Sequence, residues 1–289
     1  MVTRRQFGLG LCAVVGSADL QRRALTGEND LRSALAAIEG QCGGRLGVGI
    51  LDTATGAMGG HRGNERFPLC STHKALSAAA ILHRVDRGQE RLDRRVRYGA
   101  AEMLPHSPAT EAHTGEDGMT LAAICEAAVT LSDNTAANLM FAAVGGPAGV
   151  TAFLRETGDQ ITRLDRTEPT LNEARPGDPR DTTSPFAMAA TLQRLVLGDA
   201  LLPESRSQLA YWLVAGRTGA TRLRAGVPAG WRVGEKTGTN DGTANDIGVL
   251  WPPGRAPLVV TAFVTTSTAP LEAQDAAIAA VARLVAAWA

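Results

Sequence analysis

Apolar residues recur at helical spacing between Asn29 and Gln41, at Leu31, Leu35 and Ile38 with Ala34 among them, and Gly43-Gly44 ends the run. Leu46 to Leu51 reads as a strand, and Asp52 to Gly56 supplies turn chemistry after it. Residues 71–87 predict a helix, and the Ala- and Leu-rich stretch 120–144 predicts further helices. Stretches 186–197 and 204–214 read the same way. The pattern then reverts to strands at Trp231–Gly234, Ile247–Trp251 and Leu258–Thr265, separated by Gly/Asn/Asp or Pro/Gly clusters. Ala269 to Ala289 closes the chain as an Ala-rich amphipathic helix, with Ile278, Val281, Leu284, Val285 and Trp288 near one face. Strand material at both ends and helices between them predict an α+β fold: a mostly antiparallel sheet flanked by helices, with an inserted all-helical domain. The expected boundaries are 25–68 and 216–289 for the sheet domain and 69–215 for the helical one, which carries an aperiodic loop at 163–181.

The first residues follow a different logic. Thr3-Arg4-Arg5-Gln6-Phe7 precedes a short apolar run from Gly8 to Val15 and then small residues at Gly16-Ser17-Ala18. This order resembles a secretory signal of the twin-arginine type, so 1–18 is expected to direct export to the periplasm or the medium; the alternative is an ordinary tail with two chance arginines. The chain has no later run of about 20 apolar residues, so no membrane attachment is expected after cleavage. Cleavage after Ala18 would remove Cys12 and leave Cys42, Cys70 and Cys125, an odd number with no C-x-x-C pair. No Cys/His spacing suggests a metal, and no cofactor is expected.

Composition narrows the function. Lys+Arg and Asp+Glu both total 29, and aromatics make up 4% of the 289 residues. A balanced charge and few stacking rings argue against nucleic acid as a partner. Only two of the 29 basic residues are lysines, Lys74 and Lys236, and each stands in a chemically suggestive string.

Cys70-Ser71-Thr72-His73-Lys74 opens the predicted helix, with Lys74 on the same helical face as Ser71. A serine hydroxyl needs a base to become a nucleophile, and a desolvated lysine can be that base where arginine cannot. Alone, such a Ser-x-x-Lys is more often a helix cap beside a surface lysine. In Leu131-Ser132-Asp133-Asn134, Ser132 offers a hydroxyl for proton relay and Asn134 an amide that both donates and accepts, while Asp133 is better suited to hold backbone. Glu168-Pro169-Thr170-Leu171-Asn172 lies in the aperiodic loop, where a carboxylate and an amide can hold and deprotonate a water. Arg166 and Asp181 are placed to clamp the loop ends. Lys236-Thr237-Gly238-Thr239 follows a predicted strand; Gly238 would let a ligand approach the backbone, and the Thr239 N–H could complete an oxyanion hole with that of Ser71.

S-x-x-K, S-D-N, E-x-x-L-N and K-T-G in this order resemble the class A serine β-lactamases. The resemblance spans nearly the whole mature chain, including Arg163-Leu164-Asp165-Arg166, Pro176-Gly177-Asp178, Asp181-Thr182-Thr183 and Gly242-Thr243-Ala244-Asn245-Asp246. It implies that a monomer hydrolyses the lactam amide of penicillins and cephalosporins through an acyl-enzyme on Ser71. Lys74 and Ser132 would handle protons. Either Lys74 or Glu168 through water would be the acylation base, and Glu168 the deacylation base. Asn172 would help hold the water and Asn134 the substrate's side-chain amide, while Lys236, Thr237 and Thr239 would face its carboxylate. Arg222 matches an alternative arginine position for that carboxylate, since Ala244 and Asn245 offer none. His106 follows Pro105 where relatives often carry an aromatic gate, and Leu131 replaces a frequent Tyr. In many carbapenem-hydrolysing members the cysteine before the nucleophile is bridged to one just after K-T-G-T; Asn240 stands there, so the nearer kinship is with broad- or extended-spectrum branches. The competing readings are a penicillin-binding transpeptidase or carboxypeptidase, which needs no Glu168/Asn172 water site, and a non-catalytic β-lactam-binding module.

Overall fold

The computed structural model describes residues 29–288, so the expected signal at 1–18 lies outside the described residues. Helix α1 (29–39) leads into strand β1 (Arg45–Asp52), which turns back through β2 (Met58–His61). After a long helical excursion the chain returns as β7 (Arg232–Asn240), β8 (Thr243–Trp251) and β9 (Leu258–Thr265). These five strands form one antiparallel sheet in the order β2-β1-β9-β8-β7. The last strand begins where the apolar pattern placed it, but β7 runs further than expected: Lys236 to Thr239 lie inside the strand and pair with Ile247 to Ala244. A strand with polar residues facing a site carries no long apolar run, so its end was not visible in the pattern. Asp241-Gly242 makes the tight connection to β8, with Gly242 at φ +59.

Alternation along β9 assigns the two faces of the sheet. Val259 and Phe263 join the larger apolar cluster, whereas Leu258, Val260, Ala262 and Val264 join the smaller one. The smaller cluster lies under α1 and the closing helix α9 (Leu271–Trp288), which contribute Leu31, Leu35, Ile278, Val281 and Val285. The opposite face meets α6 (Pro185–Val196), which packs on β1 and β9. Gly49 is needed there, because a Cβ would lie 2.6 Å from the Pro185 carbonyl oxygen.

The intervening segment holds α2 (His73–Asp86), the hairpin β4 (Arg95–Tyr98) and β5 (Gly115–Thr120), α3 (Leu121–Thr130), α4 (Asn134–Val144) and α5 (Gly146–Glu156). Phe67–Pro68 (β3) pairs with Thr182–Thr183 (β6), and α7 (Pro203–Val214) and the short α8 (Leu223–Gly226) lead back to the sheet. Helix α2 is buried on every side from His73 to Leu82, and its small residues Ala75, Ser77, Ala78, Ala79 and Ala80 let neighbours pack closely all round it. Helices α3 and α4 are separated by three residues, and Asp133 caps α4 by accepting from Ala136 N. The apolar contacts of α2, α4 and α7 run on into Ile247, Val249, Val259 and Phe263 of the sheet, so the site-bearing helices and the sheet share one core.

Phe263 is fully buried and packs beside Phe67, ring centroids 6.0 Å apart. Phe263→Ala is expected to lower unfolding stability by about 3–5 kcal/mol through the lost contacts and the cavity left behind. Denaturant unfolding with an unchanged slope is the measurement; a change under about 1 kcal/mol would mean that this face of β9 does not hold the core.

Candidate active site

Ser71 lies in the one-turn helix Cys70–Thr72 that runs into α2. Cys70 adopts φ +44, an unfavourable angle for a residue with a Cβ, and neighbours hold it there. Asn245 of β8 donates to the carbonyls of Pro68 (2.9 Å) and Leu69 (3.2 Å), and Leu69 N donates to Asp181 O (2.8 Å). Strand β7 presses on the same turn: a Cβ on Gly238 would stand 2.8 Å from Leu69 O and 3.1 Å from Ser71 N. The glycine of this strand is therefore required by the Ser71 turn, not by a ligand alone as the sequence suggested.

Lys74 is the centre of the cluster. Its Nζ lies 2.9 Å from Ser71 Oγ, 2.8 Å from Ser132 O, 2.7 Å from Asn134 Oδ1 and 3.0 Å from Glu168 Oε1. Ser132 Oγ is 3.4 Å away and receives a second amine, Lys236 Nζ, at 3.1 Å. The second hydroxyl thus bridges the chain's only two lysines. Burial pushes Lys74 below the ordinary lysine value, and the charge of Glu168 opposes that shift. Lys236 is pushed well down by burial and then by the like charge of Lys74. Ser132 sits at φ +61 in the break between α3 and α4. Asp133 pins that break, accepting from the backbone of Ala109 (3.0 Å), Thr110 (2.9 Å) and Ala136 (2.8 Å).

Glu168 faces Lys74 from the 163–181 loop. Its Oε1 also meets His73 Nε2 at 3.2 Å, and its Oε2 accepts from Asn172 Nδ2 at 2.5 Å. Burial raises its proton affinity, but the hydrogen bond from His73 and the charge of Lys74 outweigh burial and hold the carboxyl down at about 2. The Glu168 backbone is gripped at both ends by Asn138 of α4, which accepts from Glu168 N (2.9 Å) and donates to its carbonyl (3.0 Å). Asn172 Oδ1 is buried beside the carboxylate with no hydrogen-bond partner among the described residues, an acceptor free to take a bond from a water there. The loop closes through Asp181, which accepts from the backbone of Asp165 and Arg166 (2.8 and 3.0 Å) and pairs with Arg166 Nε at 2.6 Å. Arg166 reaches on to Glu173 at 2.8 Å.

A buried amine between two serines, with a carboxylate and an unsatisfied amide behind it, is equipped to activate a hydroxyl and then a water. Comparisons with known proteins give the family. A family model described as the β-lactamase enzyme family matches residues 30–289. β-Lactamase CTX-M-8 of Citrobacter amalonaticus is 47% identical over 273 residues, covering 94% of this chain and 92% of that protein. β-Lactamase L2 of Stenotrophomonas maltophilia is 51% identical, covering 90% and 85%. Among solved structures, an ancestral class A β-lactamase aligns with a TM-score of 0.88 at 63% identity over 90% of this chain and 100% of its own. This chain belongs to the class A β-lactamases. It is accordingly a hydrolase that acts on β-lactams.

Within this β-lactamase the remaining predicted positions are placed unequally. Thr237 and Thr239 share β7 with Lys236; Thr237 is buried, and Thr239 is exposed at the strand's open end. Asn134 has both ends of its amide engaged, Oδ1 by Lys74 and Nδ2 on the Pro105 carbonyl at 2.9 Å. His106 stands exposed at φ +60, its Nε2 3.1 Å from Leu131 O, while its carbonyl accepts from Asn134 N at 3.0 Å. Arg222 differs most from expectation. It is 3% exposed and lies behind β7, bonded to Asp275 (2.7 Å), to the carbonyls of Gly238 (2.9 Å) and Asn245 (2.8 Å), and to Thr239 Oγ1 (2.8 Å). A guanidinium must be surrounded by acceptors to be buried, so its reach towards a ligand runs through the Thr239 hydroxyl. Cys42, Cys70 and Cys125 are buried free thiols, and burial pushes Cys70 up to about 12. At the position after Thr239, Asn240 donates through its side chain to the Asn172 carbonyl, joining β7 to the loop. Asn138 lies in no motif, and only its four-residue spacing from Asn134 on one helix hinted at it, while Asn240 and Asn245 stood in strings noted in the sequence without the backbone-holding roles they take here.

Two consequences are measurable. Gly238→Ala is expected to separate β7 from the Ser71 turn, costing about 1–3 kcal/mol of stability and lowering β-lactam turnover; an unchanged midpoint and rate would show that the strand has room. Glu168 titrates lower in the folded chain than in the unfolded one. Its contribution to stability is therefore complete above the usual carboxylate range near 4.5 and is lost as pH falls towards about 2. The Tm difference between wild type and Glu168→Gln should shift in favour of the variant on acidification through that window, and a pH-independent difference would contradict the assignment.

Proposed function

We propose that this β-lactamase opens penicillins and cephalosporins through a Ser71 acyl-enzyme. Ser71 Oγ bonds to the lactam carbonyl carbon as its proton passes to the Lys74 amine; Ser132 relays a proton to the lactam nitrogen as the C–N bond breaks. The amine becomes available when Lys74 yields its proton to Glu168, 3.0 Å away, which makes Lys74 the immediate base and Glu168 its acceptor. The backbone N–H groups of Ser71 and Thr239 are assigned to the developing oxyanion, and Lys236, Thr237 and Thr239 to the substrate carboxylate. Once the C–N bond has broken, Glu168 returns its proton to Lys74; a water held by Glu168 and Asn172 then loses a proton to the freed carboxylate and attacks the acyl carbon, and Ser71 Oγ leaves with a proton supplied by Lys74. Asn134 and His106 line the path of the substrate's side chain.

The observation that carries this reading is the joint contact of one amine with the nucleophile and the carboxylate, beside an amide oxygen that lacks a partner. A penicillin-binding transpeptidase needs the first half of that arrangement but not the second. Residues 1–18 are assigned to export and the enzyme to the periplasm or medium as a monomer.

Mixing the purified enzyme with a chromogenic cephalosporin and with benzylpenicillin tests the reading. Steady turnover of both is expected, and Glu168→Ala should accumulate an acyl adduct on Ser71, visible by intact-mass spectrometry, with deacylation slowed by at least about 100-fold. A long-lived adduct on the wild-type enzyme would instead favour the penicillin-binding reading.

A further inference from the structure

One titratable group in the cluster has no part in the chemistry above. His73 follows the nucleophile by two residues and is fully buried. Its Nε2 lies 3.2 Å from Glu168 Oε1, its Nδ1 lies 3.3 Å from Ser77 Oγ one helical turn on, and its ring stacks on Phe141 of α4 at 4.9 Å and 11°. The imidazole is thus fixed from three sides, by α2, α4 and the catalytic loop. The charged groups that act on it are Glu168, Lys74 and Lys236.

These contacts decide which nitrogen carries the proton. Burial holds His73 below the ordinary imidazole value; Glu168 opposes that shift, while Lys74 and Lys236 reinforce it. The ring is therefore neutral at pH 7 and has one N–H. Glu168 is ionised and can only accept, so the hydrogen belongs on Nε2. Nδ1 is then the acceptor for the Ser77 hydroxyl. In this arrangement Glu168 Oε1 receives His73 and Lys74, and Oε2 receives Asn172.

We propose that His73 is a positioning residue for Glu168: its Nε2–H fixes the carboxylate in the orientation that keeps Oε2 on Asn172 and the hydrolytic water while Lys74 exchanges its proton. The inference rests on the assignment of Glu168 as the deacylation base. It predicts an effect concentrated on deacylation, since Ser71 is reached by Lys74 and not by His73.

The test joins a spectroscopic reading to single-turnover kinetics. In the wild-type enzyme, long-range 1H–15N spectra of the imidazoles should show His73 neutral and protonated on Nε2 at pH 7. A ring protonated on Nδ1, or an imidazolium, would overturn the proposal. His73→Phe keeps a ring against Phe141 but removes the donor; deacylation of a penicilloyl-enzyme should fall about 10-fold, with acylation falling less. His73→Gln restores an amide N–H near the Nε2 position and should recover most of the loss. Equal deacylation in wild type and His73→Phe would overturn the proposal, as would a Gln variant no better than Phe. If the Phe variant does not fold, the wild-type tautomer and the Gln variant's deacylation, expected near wild type, still decide. Glu168→Ala in the same series separates the two readings: rapid deacylation there would refute the base assignment itself, whatever His73 does.

Discussion

Burial of the Lys74 ammonium is the constraint around which the site is organised. A charge removed from water costs several kcal/mol unless its hydrogens and its field are met by protein groups. Here Ser71, the Ser132 carbonyl, Asn134 and Glu168 meet them, and they come from separate stretches of chain. The cost of isolating any one of these groups ties α2, the α3–α4 break and the catalytic loop to a single geometry. The same burial lowers the amine's proton affinity, because its charged form is the one that desolvation penalises.

The supporting structure removes freedom from the groups that touch Lys74. Asp133 satisfies three backbone N–H groups and so holds the break that presents Ser132. Asn138 fixes the main chain of Glu168, while Asp181 closes the loop behind it and anchors Leu69 just before Ser71. Buried side chains that bond backbone in this way exchange local flexibility for position, and positional accuracy is what general base catalysis requires. Arg222 follows the same logic on the far side of β7, where it ties Gly238, Thr239 and Asn245 together.

Much of this was legible in the sequence. The apolar periods of α1, α6 and α9 and the run of β9 specify elements because their spacing reflects a single buried face. The hairpin β4–β5 and the strand β2 were not legible: Met58 to His61 carries two glycines and no alternation, Arg95 to Tyr98 alternates but over only four residues, and its partner Gly115 to Thr120 is mostly polar, so pairing with neighbours decides their state. Among the site residues, Ser71, Lys74, Ser132, Glu168 and Lys236 stand out by motif spacing, and the fold brings them within a few ångströms of one another. Arg222 was expected to face the ligand, yet its side chain turns into acceptors that lie on β7, β8 and α9.

The sequence by itself determined which chemistry was available: two amines in an arginine-rich chain, two hydroxyls, and one carboxylate in an aperiodic loop, each beside a local element that its own spacing specified. Tertiary structure alone decided what those groups are worth. His73 and Glu168 are 95 residues apart, and Lys236 and Ser132 are 104 apart, so no local period relates them. Desolvation and hydrogen bonding, which set proton affinities and orientations, arise only when distant segments exclude water together; short-range spacing carries no information about that.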